Sequence, residues 1–499
     1  MKNSMFWPAL LLAMISVERS IAVADVGGQP GTIPAMFPPF LGGNSPWFPG
    51  PNVTDIPYEI PEGCTIDMAS ITSRHGSRYP DPAVYKQWLG LQSKIQNSSA
   101  TAQGALSFIS SWDPTLKNPG KLLTQLSIGG SKELYDMGAA YRWRYPGLYA
   151  DNTPFILWAN AFFPTSPRVI DSARLFARGL LGPNATTLGT VYVLNNTDPR
   201  GLANSLGVSD LCPAYNDTMG GSAAAIWANI YLPPIAARIN ALTSPKGAVN
   251  FNITDVAMFP LLCGFESEMT GQRSPWCDLL TQQELQAYEY SQDLRFYYGH
   301  GPGSLKNSTF MLPFLSALVS RFVDGPNKTY TSSDGTTFVP PPLIVAFTND
   351  AQINQLASQI GVFNDQAPLP PDRIPDNQRY ISSRFVTMRG TIGFERLTCT
   401  TGSGKPSQTT PGQFLRVVLN DVVYPVLGCD SGPGRSCPLS QYAQLVAQKQ
   451  TEAGGFVDAC FGANQTAAKR ALAAAGITGT PKTTFLSDLA VPFAFVVKP

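Results

Sequence analysis

An α/β fold is predicted for this chain: a mostly parallel sheet flanked by helices, with a smaller, mainly helical domain inserted. Three observations predict it. Strand-like runs alternate with stretches of helical spacing from Thr65 to Leu194 and return after residue 335, the pattern of parallel strands joined by crossover helices. Between them, over about residues 206–334, apolar positions recur at helical spacing, as in Ala223–Ile239 and Glu284–Leu294. The length of 499 residues also exceeds the usual size of one domain. The expected organisation is a leader at 1–24, an extended arm at 25–62, an α/β domain from 63–205 and 335–499, and a helical insertion at 206–334.

Taken in order, the leader has a basic start (Met1-Lys2-Asn3), an apolar run from Met5 to Val17 and a small-x-small site at Ala22-Val23-Ala24. That is a secretory signal pattern, cut near Ala24 to leave Asp25 first. A membrane anchor fits less well, because the run is too short to span and Glu18-Arg19 follows it. Residues 25–62 are rich in Pro and Gly without period, an arm laid over the body. A strand over Thr65–Thr72 leads into Ser73-Arg74-His75-Gly76-Ser77-Arg78-Tyr79-Pro80, and helical stretches follow Pro82 and span Gly129–Tyr145. Pro154–Ala159 reads as a buried strand, Arg168–Ala173 as a helix start, and Thr190–Leu194 as a strand. Beyond the helical middle, strands are expected at Leu343–Phe347, Phe385–Phe394 and Phe414–Val426. The apolar run Leu489–Val497 is short, contains Pro492 and ends in Lys498, as a buried strand or tail would.

Composition narrows the function classes. A net charge of +1 with 14% charged residues offers no basic stripe for nucleic acid and no polybasic membrane patch. Only two histidines and no Cys-x-x-Cys make a metal site unexpected. Eight cysteines suit disulfides in an oxidising compartment, with many pairings open. Nine Asn-x-Ser/Thr sequons, at Asn52, Asn97, Asn184, Asn195, Asn216, Asn252, Asn307, Asn327 and Asn464, agree with export and glycosylation.

The chemistry concentrates in Arg74-His75-Gly76-Ser77-Arg78. An imidazole can attack phosphorus, flanking guanidinium forks can hold the non-bridging oxygens, and a glycine lets backbone approach an anion. A lone Arg-His-Gly is more often a turn with surface arginines; the longer string through Pro80 changes that balance. Arg74 to Pro80 resembles the Arg-His-Gly-x-Arg-x-Pro signature of the histidine acid phosphatases, in the fungal phytase-like branch of the histidine phosphatase superfamily. Asn44–Phe48, Ser166–Ala173, Cys212–Tyr215 and Tyr297–Gly303 are similar to further stretches of that family.

The resemblance implies an α/β phosphatase fold, a phosphate monoester substrate with phytate among the candidates, and no metal or organic cofactor. It implies that His75 forms a phosphohistidine, that Arg74, Arg78 and Arg168 hold the phosphoryl oxygens, and that Asp350 is the acid and then the base. It also implies the pairs Cys64–Cys399, Cys212–Cys460, Cys263–Cys277 and Cys429–Cys437. One departure stands out. The family's His-Asp motif reads Asn349-Asp350 here; the Asn amide can still donate to a phosphoryl oxygen, though without charge. His300, in a Tyr/Gly/Pro-rich loop, is expected to be structural, and Asp350 is also a candidate helix N-cap.

Three cations around His75 should keep its imidazole neutral in mild acid, where Asp350 can be protonated, so an acidic optimum is expected. A rival reading is a phosphate or inositol-phosphate binding protein that lost turnover through Asn349; the retained Asp350 favours the enzyme. A mutase-like transferase sharing the Arg-His-Gly start is disfavoured by the leader, the cysteines and the length.

Overall fold

A computed structural model describes residues 37–99, 101–161, 167–245, 248–305, 309–400, 411–462 and 484–499. The leader and the sequons Asn307 and Asn464 lie outside the described residues. The longer elements are β1 (Cys64–Arg74), α1 (Pro82–Gln96), α2 (Ile128–Arg144), β2 (Phe155–Ala161), α3 (Arg168–Leu181) and β3 (Gly189–Asn195). Helices α4 (Thr218–Asn240), α5 (Phe259–Thr270), α6 (Gln282–Gly299) and α7 (Leu312–Asp324) follow. Then come β4 (Leu343–Thr348), α8 (Asp350–Gln359), β5 (Thr391–Cys399), β6 (Gly412–Leu419), β7 (Val422–Tyr424), β8 (Cys437–Pro438), α9 (Leu439–Ala453) and β9 (Ala494–Val497).

The fold is α/β, built on one nine-stranded sheet ordered β7-β6-β5-β1-β4-β2-β3-β9, with β8 against β6. Its four central strands, β1, β4, β2 and β3, run parallel, and the flanking strands are antiparallel to their neighbours. Period-two alternation explains how the sheet is covered on both faces. In β4, Leu343, Val345 and Phe347 join Leu134, Met137 and Phe176 of α2 and α3 on one face. Ile344 and Ala346 join the larger core on the other, which takes in Trp227, Phe259, Leu294 and Phe322 of α4 to α7.

Two strand expectations need correction. The segment expected to be a strand over Phe385–Phe394 enters the sheet only at Thr391. Its first half is irregular, because the Val386 carbonyl and the Arg389 amide bond to Arg74 and His75 instead of to a ladder. The expected Phe414–Val426 strand is a hairpin, broken at Asn420-Asp421, both at positive φ as a two-residue turn requires. The C-terminal run is the edge strand β9, half-exposed, with Val496 58% exposed.

The described arm, residues 37–62, holds a single 3-10 turn at Gly42–Asn44 and is tied down by backbone bonds. Gly50 donates to the Asn420 carbonyl, and Met388 donates to the Ser45 carbonyl. All four disulfide pairs form as the resemblance implies; Cys64–Cys399 joins directly opposed residues of β1 and β5. Six sequon asparagines (52, 97, 184, 216, 252 and 327) are exposed and Asn195 is half-buried. No helix among the described residues is long and apolar enough to cross a membrane.

On β5, inside the sheet, fully buried Glu395 accepts from Arg416 Nε at 2.7 Å, Arg144 at 3.0 Å and the Tyr145 hydroxyl at 2.9 Å. Arg416 also donates to the Glu59 carbonyl, coupling the arm to this pair. Glu395→Gln is expected to leave the guanidinium groups short of their counter-charge and to cost about 3–5 kcal/mol in denaturant unfolding. An unchanged unfolding midpoint would show that the network carries little stability.

Candidate active site

Three adjacent parallel strands deliver the predicted residues to one place. β1 ends at Arg74, opposite Thr348 of β4, so His75 and Asn349 leave neighbouring carboxyl ends. β2, on the other side of β4, leads toward α3, which opens at Arg168. Ligands of open α/β sheets bind at such carboxyl ends. His75 is 1% exposed and its backbone is pinned on both sides: its amide donates to Thr348 and its carbonyl accepts from Arg389.

The imidazole orientation follows from one contact. Nδ1 lies 2.9 Å from the Gly76 carbonyl, which can only accept, so Nδ1 carries the hydrogen. The Nε2 lone pair is then free. Burial first, and then Arg168, Arg74 and Arg78, push the His75 pKa well below its usual value, so the ring stays neutral in acid. The turn after it needs glycine for space: a Cβ on Gly76 would sit 2.1 Å from Leu134, and one on Gly130 would sit 1.9 Å from the Ser77 carbonyl.

Arg74, 3% exposed, donates to the carbonyls of Gly43 and Val386 and lies 3.4 Å from Asp350. Burial lowers its pKa, against the opposing pull of Asp350. Arg78 donates to the Tyr79 carbonyl and to Asp81, and lies 5.7 Å from the centre of the Phe265 ring. The Nε–H groups of Arg74 and Arg78 are buried without an acceptor. Burial and the nearby Arg78 bring Arg168 down to about 10. The backbone at Arg168 is anchored through Ser172, whose hydroxyl donates to the Arg168 carbonyl and accepts from Gly76.

Asp350 is the first residue of α8, and the N-cap is Asn349, which corrects the expectation that Asp350 might cap the helix. The Asn349 side chain makes no capping bond. The Asp350 carboxylate is 38% exposed and takes one backbone bond, from Ala351. Burial of its surroundings raises its pKa, but Arg74, His300, His75 and Arg78 outweigh this and hold it well below the usual carboxylate range. These charges favour the ionised form of the ligand-free carboxylate, whereas the acid role expected of Asp350 needs its protonated form.

Several contributors have no motif to announce them. Glu133 of α2 accepts from both the amide and the hydroxyl of Ser77, at 2.9 Å each. Glu268 of α5 accepts from Ser127, which also bonds the Ser77 carbonyl. Arg389 lies 3.7 Å from the centre of the Trp47 ring and donates its amide to His75. His300, 9% exposed, ends α6 beside the site: its Nδ1 meets the Tyr215 hydroxyl, and its Nε2 lies 3.9 Å from Asp217. Burial lowers its pKa while Asp350 and Asp217 raise it. The available signals were that it is the other of only two histidines and that it lies in the Tyr297–Gly303 stretch that resembles the family.

Comparison with known proteins gives the family. The model of the histidine phosphatase superfamily (branch 2) matches residues 65–420. The chain belongs to that superfamily. Among branch 2 relatives, an acid phosphatase of Komagataella pastoris is 31% identical over 84% of this chain and 85% of its own length. A phytase of Candida albicans is 28% identical over 86% and 87% respectively. The crystal structure of a phytase from D. castellii superposes with a TM-score of 0.73 at 25% identity, covering 85% of this chain and 87% of that one.

The buried carboxylates around this histidine phosphatase site set a pH dependence of stability. Burial and Glu133 push Glu268 up to about 8; burial and Asp293 push Glu289 up to about 8; burial pushes Asp293 up to about 6. Unfolded, each titrates near roughly 4. A raised acid binds its proton more tightly when folded, so its contribution is complete below the unfolded pKa and is lost as pH rises through the folded one. Thermal unfolding should move to lower temperature between about pH 5 and 8, and Glu268→Gln should flatten part of that slope. Stability that climbs across the same range would contradict the assignment.

Proposed function

We propose that this chain is a secreted acid phosphatase that hydrolyses phosphate monoesters through a phosphohistidine. The observation that carries the reading is the Nδ1 contact to Gly76, which leaves Nε2 unprotonated on a ring that burial and the charges of Arg168, Arg74 and Arg78 keep neutral. Nε2 attacks phosphorus, the bond from phosphorus to the ester oxygen breaks, and the alcohol leaves with a proton from Asp350. Water then attacks the phosphohistidine and gives a proton to the Asp350 carboxylate. His75 is regenerated and inorganic phosphate is released. Arg74, Arg78 and Arg168 absorb the charge of the transition state, and the uncapped Asn349 amide supplies a neutral donor.

The ionised state of Asp350 fits this cycle once substrate is counted. A bound phosphate monoester offsets the same arginines that depress the carboxyl, so its proton affinity rises on binding. Proton uptake with substrate then favours acid solution. The branch 2 match and the relatives named acid phosphatase and phytase support the reaction class. The leader pattern, the exposed sequons and the four disulfides support secretion and glycosylation.

The test is phosphate release from p-nitrophenyl phosphate and from phytate, from strongly acid to mildly alkaline pH. Wild type should peak in acid and His75→Ala should lose about four orders of magnitude or more in kcat. Asn349→His should change the rate by no more than about 100-fold, the scale of one donor. An inactive wild type rescued by Asn349→His would instead identify a binding protein that has lost turnover.

A further inference from the structure

The arginine clamp is not uniformly positive. Asp81 stands at the N-cap of α1 with extended backbone, φ −72° and ψ 154°, where an aspartate ordinarily accepts an N–H of its own helix. Its carboxylate makes no such bond. It turns to Arg78 instead, at 2.8 Å, in a pair whose guanidinium is 11% exposed and whose carboxylate is 42% exposed. One end of the pair is therefore sunk in the clamp and the other faces solvent. The field of Asp81 is also felt at Arg74 and Arg168.

Counting charges at the site gives three arginines against Asp81 and Asp350, with His75 neutral. A net charge near +1, rising to about +2 as Asp350 takes up its proton with substrate, suits one phosphate monoester, which in acid carries about one negative charge because its second pKa is roughly 6. A polyphosphorylated substrate brings further anions beside the one being cleaved. Those anions meet the open carboxylate of Asp81, and beside His300 they meet Asp217, 53% exposed.

We propose that Asp81 is a specificity-determining residue. By holding Arg78 and presenting a carboxylate at the mouth of the clamp, it favours substrates with a single phosphate on a neutral or cationic alcohol over phytate. The inference rests on the phosphatase reading above and fails separately from it.

The experiment compares kcat/KM for p-nitrophenyl phosphate and phytate at about pH 5, where the monoester holds about one charge, in wild type, Asp81→Asn and Asp81→Ser. Asn preserves the shape and Ser is a competent N-cap, so at least one variant is expected to fold. Wild type should prefer p-nitrophenyl phosphate. Both variants should raise the phytate to p-nitrophenyl phosphate ratio by about three- to tenfold, mainly through phytate KM, the scale of removing one charge some 10 Å from another at a protein surface. An unchanged ratio in folded, active variants would overturn the role of Asp81 and leave the phosphatase intact. A wild type that already prefers phytate would overturn it as well. Absence of turnover on both substrates would bring down the phosphatase reading and this inference with it.

Discussion

The buried guanidinium of Arg74 is the constraint around which the site is arranged. A buried charge is tolerated only when it is paired, and the two terminal nitrogens of Arg74 both find acceptors although its Nε does not. Here the acceptors come from three remote parts of the chain: the Gly43 carbonyl of the arm, the Val386 carbonyl of the segment before β5, and Asp350 at the start of α8. Those contacts explain why a Pro/Gly-rich arm stays docked and why the chain delays entering β5 until Thr391. They also hold Asp350 beside the nucleophile. Removing any of the three acceptors would leave charge or hydrogen-bonding capacity stranded in the interior.

A second consequence is that positive charge is concentrated where the nucleophile must remain neutral. Burial and the three arginines depress His75 in the same direction, and the Gly76 carbonyl selects which nitrogen is left open. The arginines pull Asp350 toward its ionised form, so in the proposed cycle its proton arrives with the anionic substrate. Nucleophile and acid are thus set by one electrostatic field, which differs between the ligand-free and substrate-bound enzyme.

Behind this layer sit carboxylates whose role is mechanical. Glu133 and Glu268 fasten Ser77 and Ser127, the residues on which the His75–Arg78 turn rests. Asp293 accepts from the amide and the hydroxyl of Ser382, at the base of the segment that supplies the Val386 carbonyl. Burial favours the protonated form of each. The carboxylates that support the site are therefore held best in acid, the condition that the proposed chemistry also needs, although the two use different residues.

By itself the sequence determined the α/β class and singled out His75 with its flanking arginines, Arg168 and the Asn349-Asp350 departure. These are local patterns, legible because strand period, helix spacing and a contiguous motif act over a few residues. The disulfide pairs were legible only through family resemblance, since spacing alone leaves their choice open. Tertiary structure alone decided that Gly43 and Val386 hold Arg74, that Glu133 and Glu268 brace the turn after His75, that Asn349 stands at the N-cap position of α8 without a capping bond, and that His300 lies near enough to act on Asp350. It also decided that the Phe385–Gly390 stretch, strand-like in composition, closes the site instead of joining the sheet. The physical reason is that backbone carbonyls and buried carboxylates carry no sequence signature, and charges find their partners by distance in space rather than along the chain.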